Sequence, residues 1–334
     1  MVPNARFKEL LADIEPSTTT KTASSAAHTS VRTHLRSHPD FKERWVDDFL
    51  AGSYSRDTAI RPKKTEDGYE RPDVDIIIET SFSTSDHPDD VLQEVSDALE
   101  DKFTIERINK RSVRVVTSSA EIDVVPVIAT VDIFQIPDRE SGDWKYTNPP
   151  GHNDWSSKQN EDFGGRFKPL VKLFKWWRRE NKTGKRPKGF VLECLVASHA
   201  PRYETHYGEM FAKMLENIYA QYGSLAEAGI KPHIDDPGLP GNNIISKVSI
   251  TDWKNFIERI RVHAGYARRA QSEEDMAEAT RLWRKLFGNR FKETVTIAKA
   301  ESLAEYAFAP AVSASAGYTF PNQPAAPNKP RGFA

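Results

Sequence analysis

The spacing of apolar residues changes about halfway along the chain. In the first half the runs are short and β-branched. "DVDIIIET" at 73–80, "SVRVVTS" at 112–118 and "EIDVVPVIAT" at 121–130 each predict a strand, the last interrupted by Pro126. Between the first two, "DDVLQEVSDALEDKF" carries apolar residues at 91, 92, 95, 99 and 103, which predicts a helix. Upstream, "HPDFKERWVDDFLAG" places Phe41, Trp45, Phe49 and Leu50 on one helical face, with Gly52 ending the helix. Residues 16–30, rich in Ser, Thr and Ala, fit either a linker or the capped start of a helix running through Leu35. The order helix, strand, helix, strand, strand predicts an α+β fold with a small mixed sheet and helices on one side.

From Phe163 onward the spacing becomes helical. "GRFKPLVKLFKWWRRE" is amphipathic, "RPKGFVLECLVASHA" reads as a buried helix, and "MFAKMLENIYAQYGSLAEAG" as another. Two more helices are expected within 252–287, the second opening with a Ser272/Asp275 capping pair. "KPHIDDPGLPGNNI" reads as a turn-rich loop, and the end, "SASAGYTFPNQPAAPNKPRGFA", as a flexible tail. The expected organisation is an N-terminal helical segment and linker (1–39), a first lobe (40–162), a helical lobe (163–310) and a tail (311–334).

Composition narrows the function classes. The 334 residues carry 28% charged side chains and a net charge of −1, so binding a large nucleic acid by charge alone is not expected. Cys194, the single cysteine, rules out an intramolecular disulfide and a multi-cysteine zinc site, and its apolar neighbours make it core filler. No apolar run approaches the ~20 residues of a membrane span. The start has no signal-peptide core, so a cytoplasmic location is expected.

The candidate chemistry lies in the strands. Alternate side chains of a strand share a face, so Asp73 and Asp75 project together while Val74, Ile76 and Ile78 point into a core. Two carboxylates so placed repel each other unless a cation lies between them, and Mg²⁺ is a natural partner. If the strand of Asp123 lies beside the first, three carboxylates converge, which suits a two-metal phosphoryl-transfer site. The stretch "LAGSYSRDTAIRP" then supplies a Gly-Ser turn whose N–H and hydroxyl groups suit the β- and γ-phosphates of a triphosphate. Neither GxxxxGK[ST] nor GxGxxG occurs. Along the helix 164–180, Lys168, Lys172, Lys175 and Arg179 form a basic stripe opposite Phe167, Leu170, Phe174 and Trp177, most of which a solvated face explains. Tyr54, beside the Gly-Ser turn, is a candidate for contact with a base or ribose. His152, His199, His206 and His233 lack ligand spacing. Trp144, Trp155, Trp176 and Trp177 fit core positions better than base stacking.

"AGSYSRDTAIRP … DVDIII … EIDVVPVI" resembles the nucleotidyltransferase superfamily with the polymerase-β-like fold, and more narrowly the bacterial cGAS/DncV-like nucleotidyltransferases (CD-NTases) of anti-phage CBASS systems. "PPGHNDWSSKQNEDFGGRFKPLVKLFKWWRRE" and "DDPGLPGNN" extend the resemblance over residues 40 to 300. It implies a cleft between two lobes, with Gly52 and Ser53 cradling a donor triphosphate. Asp73 and Asp75 would bind two ions, Mg²⁺ or Mn²⁺, and Asp123 would complete the site and draw off the attacking hydroxyl's proton. Lys175 would reach the triphosphate from the second lobe. Many relatives have glycine at the position of Asp57, so its carboxylate is expected to turn away, toward Arg56 or Arg61. A phosphate-touching serine found in relatives is absent here, where Gly189 and Phe190 stand. The implied activity joins ATP, and GTP as a further candidate, into a cyclic di- or trinucleotide messenger for a downstream effector. The implied partners include a ubiquitin-like transferase acting on the tail. Two alternatives stay open: a nucleotidyltransferase modifying RNA 3′ ends or proteins, and a silent nucleotide- or RNA-binding scaffold.

Overall fold

The computed structural model describes residues 1–66, 68–181 and 187–293; the expected tail 311–334 lies outside the described residues. Two helices, α1 (Asn4–Ile14) and α2 (Thr18–Ser37), come first. The Ser17 hydroxyl caps α2 by accepting from the Thr20 N–H, so residues 16–30 are a capped helix start and not a linker. There follow β1 (Trp45–Ala51), the single-turn α3 (Gly52–Ser55), a small hairpin of β2 (Lys64–Thr65) and β3 (Gly68–Tyr69), β4 (Asp73–Thr80) and α4 (Pro88–Glu100). Strands β5 (Thr104–Ile108), β6 (Val113–Val116), β7 (Glu121–Ala129), β8 (Phe134–Asp138) and β9 (Asp143–Thr147) complete this part. The sheet order is β1-β4-β7-β6-β5, with β8 extending β7 and β9 pairing β8. Only the β4–β7 pair is parallel. This is the small mixed sheet the spacing predicts.

The sheet's two faces divide the chemistry. Val74, Ile76, Ile78, Ile122 and Val124 are buried against Val31 and Leu35 of α2 and Val91, Leu92, Val95 and Leu99 of α4. The opposite face carries the carboxylates at one end and a small apolar group, Ile77, Val125 and Val127, at the other. Pro126 does not interrupt β7. Pairing with β6 ends at Val124 and pairing with β8 starts at Ile128, so the missing N–H falls where no strand pairs on that side.

The expected helix over 38–52 is instead a turn followed by strand β1. The i, i+4 spacing of Phe41, Trp45 and Phe49 imitates a helix, but pairing with β4 decides the outcome. A bulge between Trp45 and Asp47 turns Asp48 inward, where Arg32 and Arg36 of α2 bind its carboxylate. Gly52 therefore opens a helical turn after a strand and does not end a helix.

The second half is helical: α5 (Pro149–Asp162), α6 (Phe167–Glu180), α7 (Gly189–His199), α8 (Tyr207–Glu227), α9 (Ile250–Ser272) and α10 (Met276–Phe287). The expected turn-rich loop contains a hairpin, β10 (Asp235–Asp236) with β11 (Leu239–Asn243), fastened to α5 by a 2.6 Å His152–Asp236 contact. The Ser272/Asp275 cap is corrected too. Asp275 alone caps α10, Ser272 is the last residue of α9, and the Ser249 hydroxyl caps α9 at the Asp252 N–H. Trp176 and Trp177 are core residues whose indole N–H groups bond the Phe287 carbonyl and His263 Nδ1.

Helix α1 belongs to this helical core. Phe7 is fully buried, edge-on to Trp283 at 4.9 Å and to Phe291 at 5.2 Å. Phe7→Ala is expected to cost about 3–5 kcal/mol of unfolding free energy, read from the denaturant midpoint. An unchanged midpoint would mean that α1 is not part of this core.

Candidate active site

The parallel β4–β7 register places Asp75 directly opposite Asp123 and Asp73 opposite Glu121. Residues in register on neighbouring strands share a face, and the three aspartates converge as the alternation predicts. One carboxylate oxygen from each of Asp73, Asp75 and Asp123 lies within 4.8 Å of the others. The cluster is costly to ionise. Burial, then the charges of Asp73 and Asp123, push the Asp75 carboxyl up to about 7. Burial also raises Asp73, partly offset by Arg114.

Beside this cluster stands the Gly-Ser turn. Ala51 pairs with Asp75 across the β1–β4 ladder, so Gly52 falls immediately next to the Asp75 carboxylate. Its φ of +70° is left-handed, and a β-carbon there would lie 1.7 Å from Asp75 Oδ2. Both facts require glycine. The Ser53 carbonyl accepts from the Thr58 N–H at 3.0 Å, closing the turn. Tyr54 lies along α2, edge-on to His28 at 5.7 Å. Asp57 is the one non-glycine residue with positive φ among those described, a conformation glycine would adopt without strain. Its carboxylate turns to Lys172 at 3.3 Å and Lys21 at 3.8 Å. The expected partners are engaged elsewhere, Arg56 with Glu193 and Arg61 with Asp13.

A cleft of about 780 Å³ joins these parts. Gly52, Ser53, Tyr54, Asp73, Asp75 and Lys175 all line it, and Asp123 stands on the next strand. Lys175 does not extend freely into the cleft. Its Nζ donates to Glu193 Oε1 at 2.8 Å and to both oxygens of Thr58 at 3.0 Å. Glu193, fully buried on α7, also accepts from Arg56 at 3.0 and 3.2 Å and from the Thr58 hydroxyl. Against the pull of burial, Lys175 and Arg56 hold the Glu193 carboxyl below its usual range. Burial lowers Lys175 in turn. Two cations on one carboxylate leave a net positive charge under the cleft, and the network ties the loop after α3 to α6 and α7.

Further cations reach the same cleft. Arg71, Arg178, Arg179 and Lys188 line it, and among the described residues none of the four forms an ion pair with a carboxylate. Sequence reasoning missed Arg56, Arg114, Arg178, Lys188 and Glu193. Glu193 sits in an apolar helical run, where a lone acidic residue carries no motif. Arg114 sits in a β-branched run and meets its carboxylate partners only through pairing with β7.

The donor set fits a hard divalent cation: three carboxylates, no sulfur or imidazole, and mutual repulsion that such a cation relieves. A carboxylate cluster of this kind on a small mixed sheet, beside a helical turn opened by glycine and facing a cleft rich in cations, is the arrangement of a metal-dependent polymerase-β-like nucleotidyltransferase. The overall fold agrees. The structure of E. coli MS115-1 CdnC with ATP matches with a TM-score of 0.69 and 20% identity, covering 87% of this chain and 99% of that one. A family model, the Second Messenger Oligonucleotide or Dinucleotide Synthetase domain, matches residues 1–160. A cyclic AMP-AMP-AMP synthase of an Acinetobacter strain is 46% identical over 100% of this chain and 98% of its own length. A cyclic AMP-AMP-GMP synthase of Enterobacter hormaechei is 26% identical, over 86% of this chain and 91% of that one. The chain belongs to the Second Messenger Oligonucleotide or Dinucleotide Synthetase family, the CD-NTases, whose members are nucleotidyltransferases that make cyclic oligonucleotides from nucleoside triphosphates.

Two outcomes follow from this geometry. Gly52→Ala pushes Asp75 aside, and a displacement of about 1 Å at a reacting centre costs about a hundredfold in rate. Nucleotide incorporation is expected to fall by that order, and a rate close to wild type would show that the turn tolerates a side chain. The second outcome concerns the metal-free protein. The folded Asp75 holds its proton up to about pH 7, whereas an unfolded aspartate releases it near 3.8. The stability this proton confers is present below 3.8 and is lost as the pH rises through 7. Without metal, Asp75→Asn is therefore expected to raise Tm by a few degrees at pH 8 and hardly at all at pH 4. A difference independent of pH would contradict the raised Asp75 carboxyl.

Proposed function

We propose that this enzyme makes a cyclic trinucleotide of adenylate, using ATP as its substrate. The support is the 46% identity, end to end, with a cyclic AMP-AMP-AMP synthase, together with the carboxylate triad at the rim of a cation-lined cleft. The cyclic AMP-AMP-GMP synthase relative makes a three-nucleotide ring containing GMP the main competitor.

In this reading Asp73, Asp75 and Asp123 hold two Mg²⁺ or Mn²⁺ ions, which supply electrostatic stabilisation of the phosphoryl group in flight. The residues of the chain do the rest. The backbone of Gly52 and Ser53 approaches the donor triphosphate closely because no side chain intervenes. Lys188 and Arg178, free of carboxylate partners among the described residues, bind its phosphate oxygens, while the positive charge shared by Arg56 and Lys175 acts from below. Lys175 thus serves the triphosphate from a buried position. Asp123 accepts the proton of the attacking ribose hydroxyl, and Tyr54 lies against the acceptor base or ribose. Two successive transfers lengthen the chain, and a third, by the terminal hydroxyl of the linear product on its own 5′ end, closes the ring with loss of pyrophosphate.

The lobes of this reading are 40–162 and 163–310, of which residues 294–310 lie outside the described residues; in the preceding segment 1–39, α1 packs in the helical core and α2 on the sheet. Among the described residues no helix is long and apolar enough to cross a membrane. The product would diffuse through the cytoplasm to an effector of an anti-phage CBASS system. The tail 311–334, outside the described residues, would be the part available to a ubiquitin-like transferase.

The test is product analysis. Purified protein incubated with radiolabelled ATP and Mg²⁺ or Mn²⁺, then with phosphatase, is expected to yield one resistant product comigrating with cyclic tri-AMP. A strict requirement for GTP would replace the proposed ring, and products that phosphatase digests completely would exclude cyclisation.

A further inference from the structure

We propose that Arg114 is a positioning residue that screens the carboxylate triad, so that divalent cations enter with nucleotide rather than alone. The inference rests on the reading of Asp73, Asp75 and Asp123 as metal ligands, and it concerns a residue to which that reading gives no role.

Arg114 lies on β6 directly across from Asp123 on β7. Its guanidinium spans the acidic face of three strands. Nε donates to Asp123 Oδ1 at 3.1 Å, and Nη2 donates to Asp123 Oδ2. The same Nη2 reaches Asp73 Oδ1 at 2.9 Å, and Nη1 reaches Glu121 Oε2 at 2.9 Å. The Arg114 and Asp123 side chains are only 15% and 13% exposed, so solvent screens that pair weakly, and the more exposed Asp73 more strongly.

The contacts assign the oxygens. Asp123 Oδ1 also accepts from Asn109 Nδ2 at 3.0 Å and from the Ser112 hydroxyl at 3.1 Å. Three donors crowd that oxygen, whereas Oδ2 accepts from Arg114 Nη2 alone and keeps a lone pair for a cation. Asp73 Oδ1 accepts from the same Nη2, leaving its Oδ2. Each of these two carboxylates therefore keeps one less committed oxygen for a cation, and a planar fork suits such holding better than an ammonium does.

Arg114 also sets one positive charge against the carboxylates of Asp73, Glu121 and Asp123. Three uncompensated carboxylates would collect hydrated divalent cations without nucleotide. With that positive charge in place the carboxylates attract a hydrated cation less strongly on their own, and the negative oxygens of a triphosphate make up the deficit. Uptake of the cation is thereby tied to uptake of the substrate.

The experiment measures Mn²⁺ binding to nucleotide-free protein by electron paramagnetic resonance titration, alongside steady-state kinetics with ATP. In Arg114→Gln, Mn²⁺ is expected to bind about tenfold more tightly without nucleotide, because a cation has been removed beside it. The same variant is expected to lose about a hundredfold in kcat with KM for ATP changed less than about threefold, the effect of misdirecting Asp123. Arg114→Lys restores the charge but not the fork, so Mn²⁺ affinity is expected to return to the wild-type value while kcat stays low. Mn²⁺ affinity unchanged or weakened in Arg114→Gln would overturn the screening role. Full kcat in Arg114→Lys would overturn the positioning role. Should Arg114→Gln fail to fold, Asn109→Ala removes one bond to Asp123 and no charge. It is expected to lower kcat about tenfold with Mn²⁺ affinity unchanged, and wild-type kcat there would overturn the positioning of Asp123. Asp75→Asn serves as the separate control, because wild-type Mn²⁺ binding in that variant would reject the metal-ligand reading itself.

Discussion

Electrostatic repulsion among three aspartates is the constraint around which this molecule is built. Parallel pairing of β4 with β7 sets Asp75 against Asp123 in register, and the alternation along β4 adds Asp73. Burial and the neighbouring charges raise the Asp73 and Asp75 carboxyls, and the protein answers on two sides. Arg114 lies over the outer edge of the cluster, and the inner edge faces a cleft where Arg71, Arg178, Arg179 and Lys188 lack carboxylate partners among the described residues. A polyanionic substrate bringing divalent cations satisfies both the carboxylates and the cations across from them. In the proposed reading, nucleotide binding and charge compensation would be one event.

The buried cluster of Arg56, Lys175 and Glu193 extends the same logic into the helical half. Removing one partner from such a network leaves unpaired charge in a low-dielectric interior, which costs about 3–5 kcal/mol. The cluster joins the loop after the Gly-Ser turn to α6 and α7. The Gly-Ser turn, α6 with Arg178, and Lys188 at the start of α7 are thus held in fixed relation from below. Phe190, within the same region, packs on His152 at 4.7 Å, which in turn holds Asp236 of the β10–β11 hairpin. The hairpin region, remote in sequence, supports one wall of the cleft.

Much of the site was legible because its chemistry is local. The D-x-D alternation follows from strand period alone, and a Gly-Ser pair ahead of it is a short-range signal. The α+β class and the helices after Phe163 were legible for the same reason, being set by the period of apolar residues. What escaped is non-local. The helix expected over 38–52 lost to strand pairing with β4, since an i, i+4 repeat of aromatics cannot announce a sheet partner. Asp57 was expected beside Arg56 or Arg61, but Glu193 and Asp13, far along the chain, claim those arginines. Arg114 gains its partners only when β6 folds against β7. Lys175 was legible as part of a basic stripe, but its burial against Glu193 was not.

The direct measurement is a crystal structure of the enzyme with Mn²⁺ and a nonhydrolysable ATP analogue, the cations located by anomalous scattering. Two peaks between the carboxylates of Asp73, Asp75 and Asp123, each also contacting the triphosphate, are expected. Peaks elsewhere, or a triphosphate bound away from Gly52 and Ser53, would contradict the reading of this site.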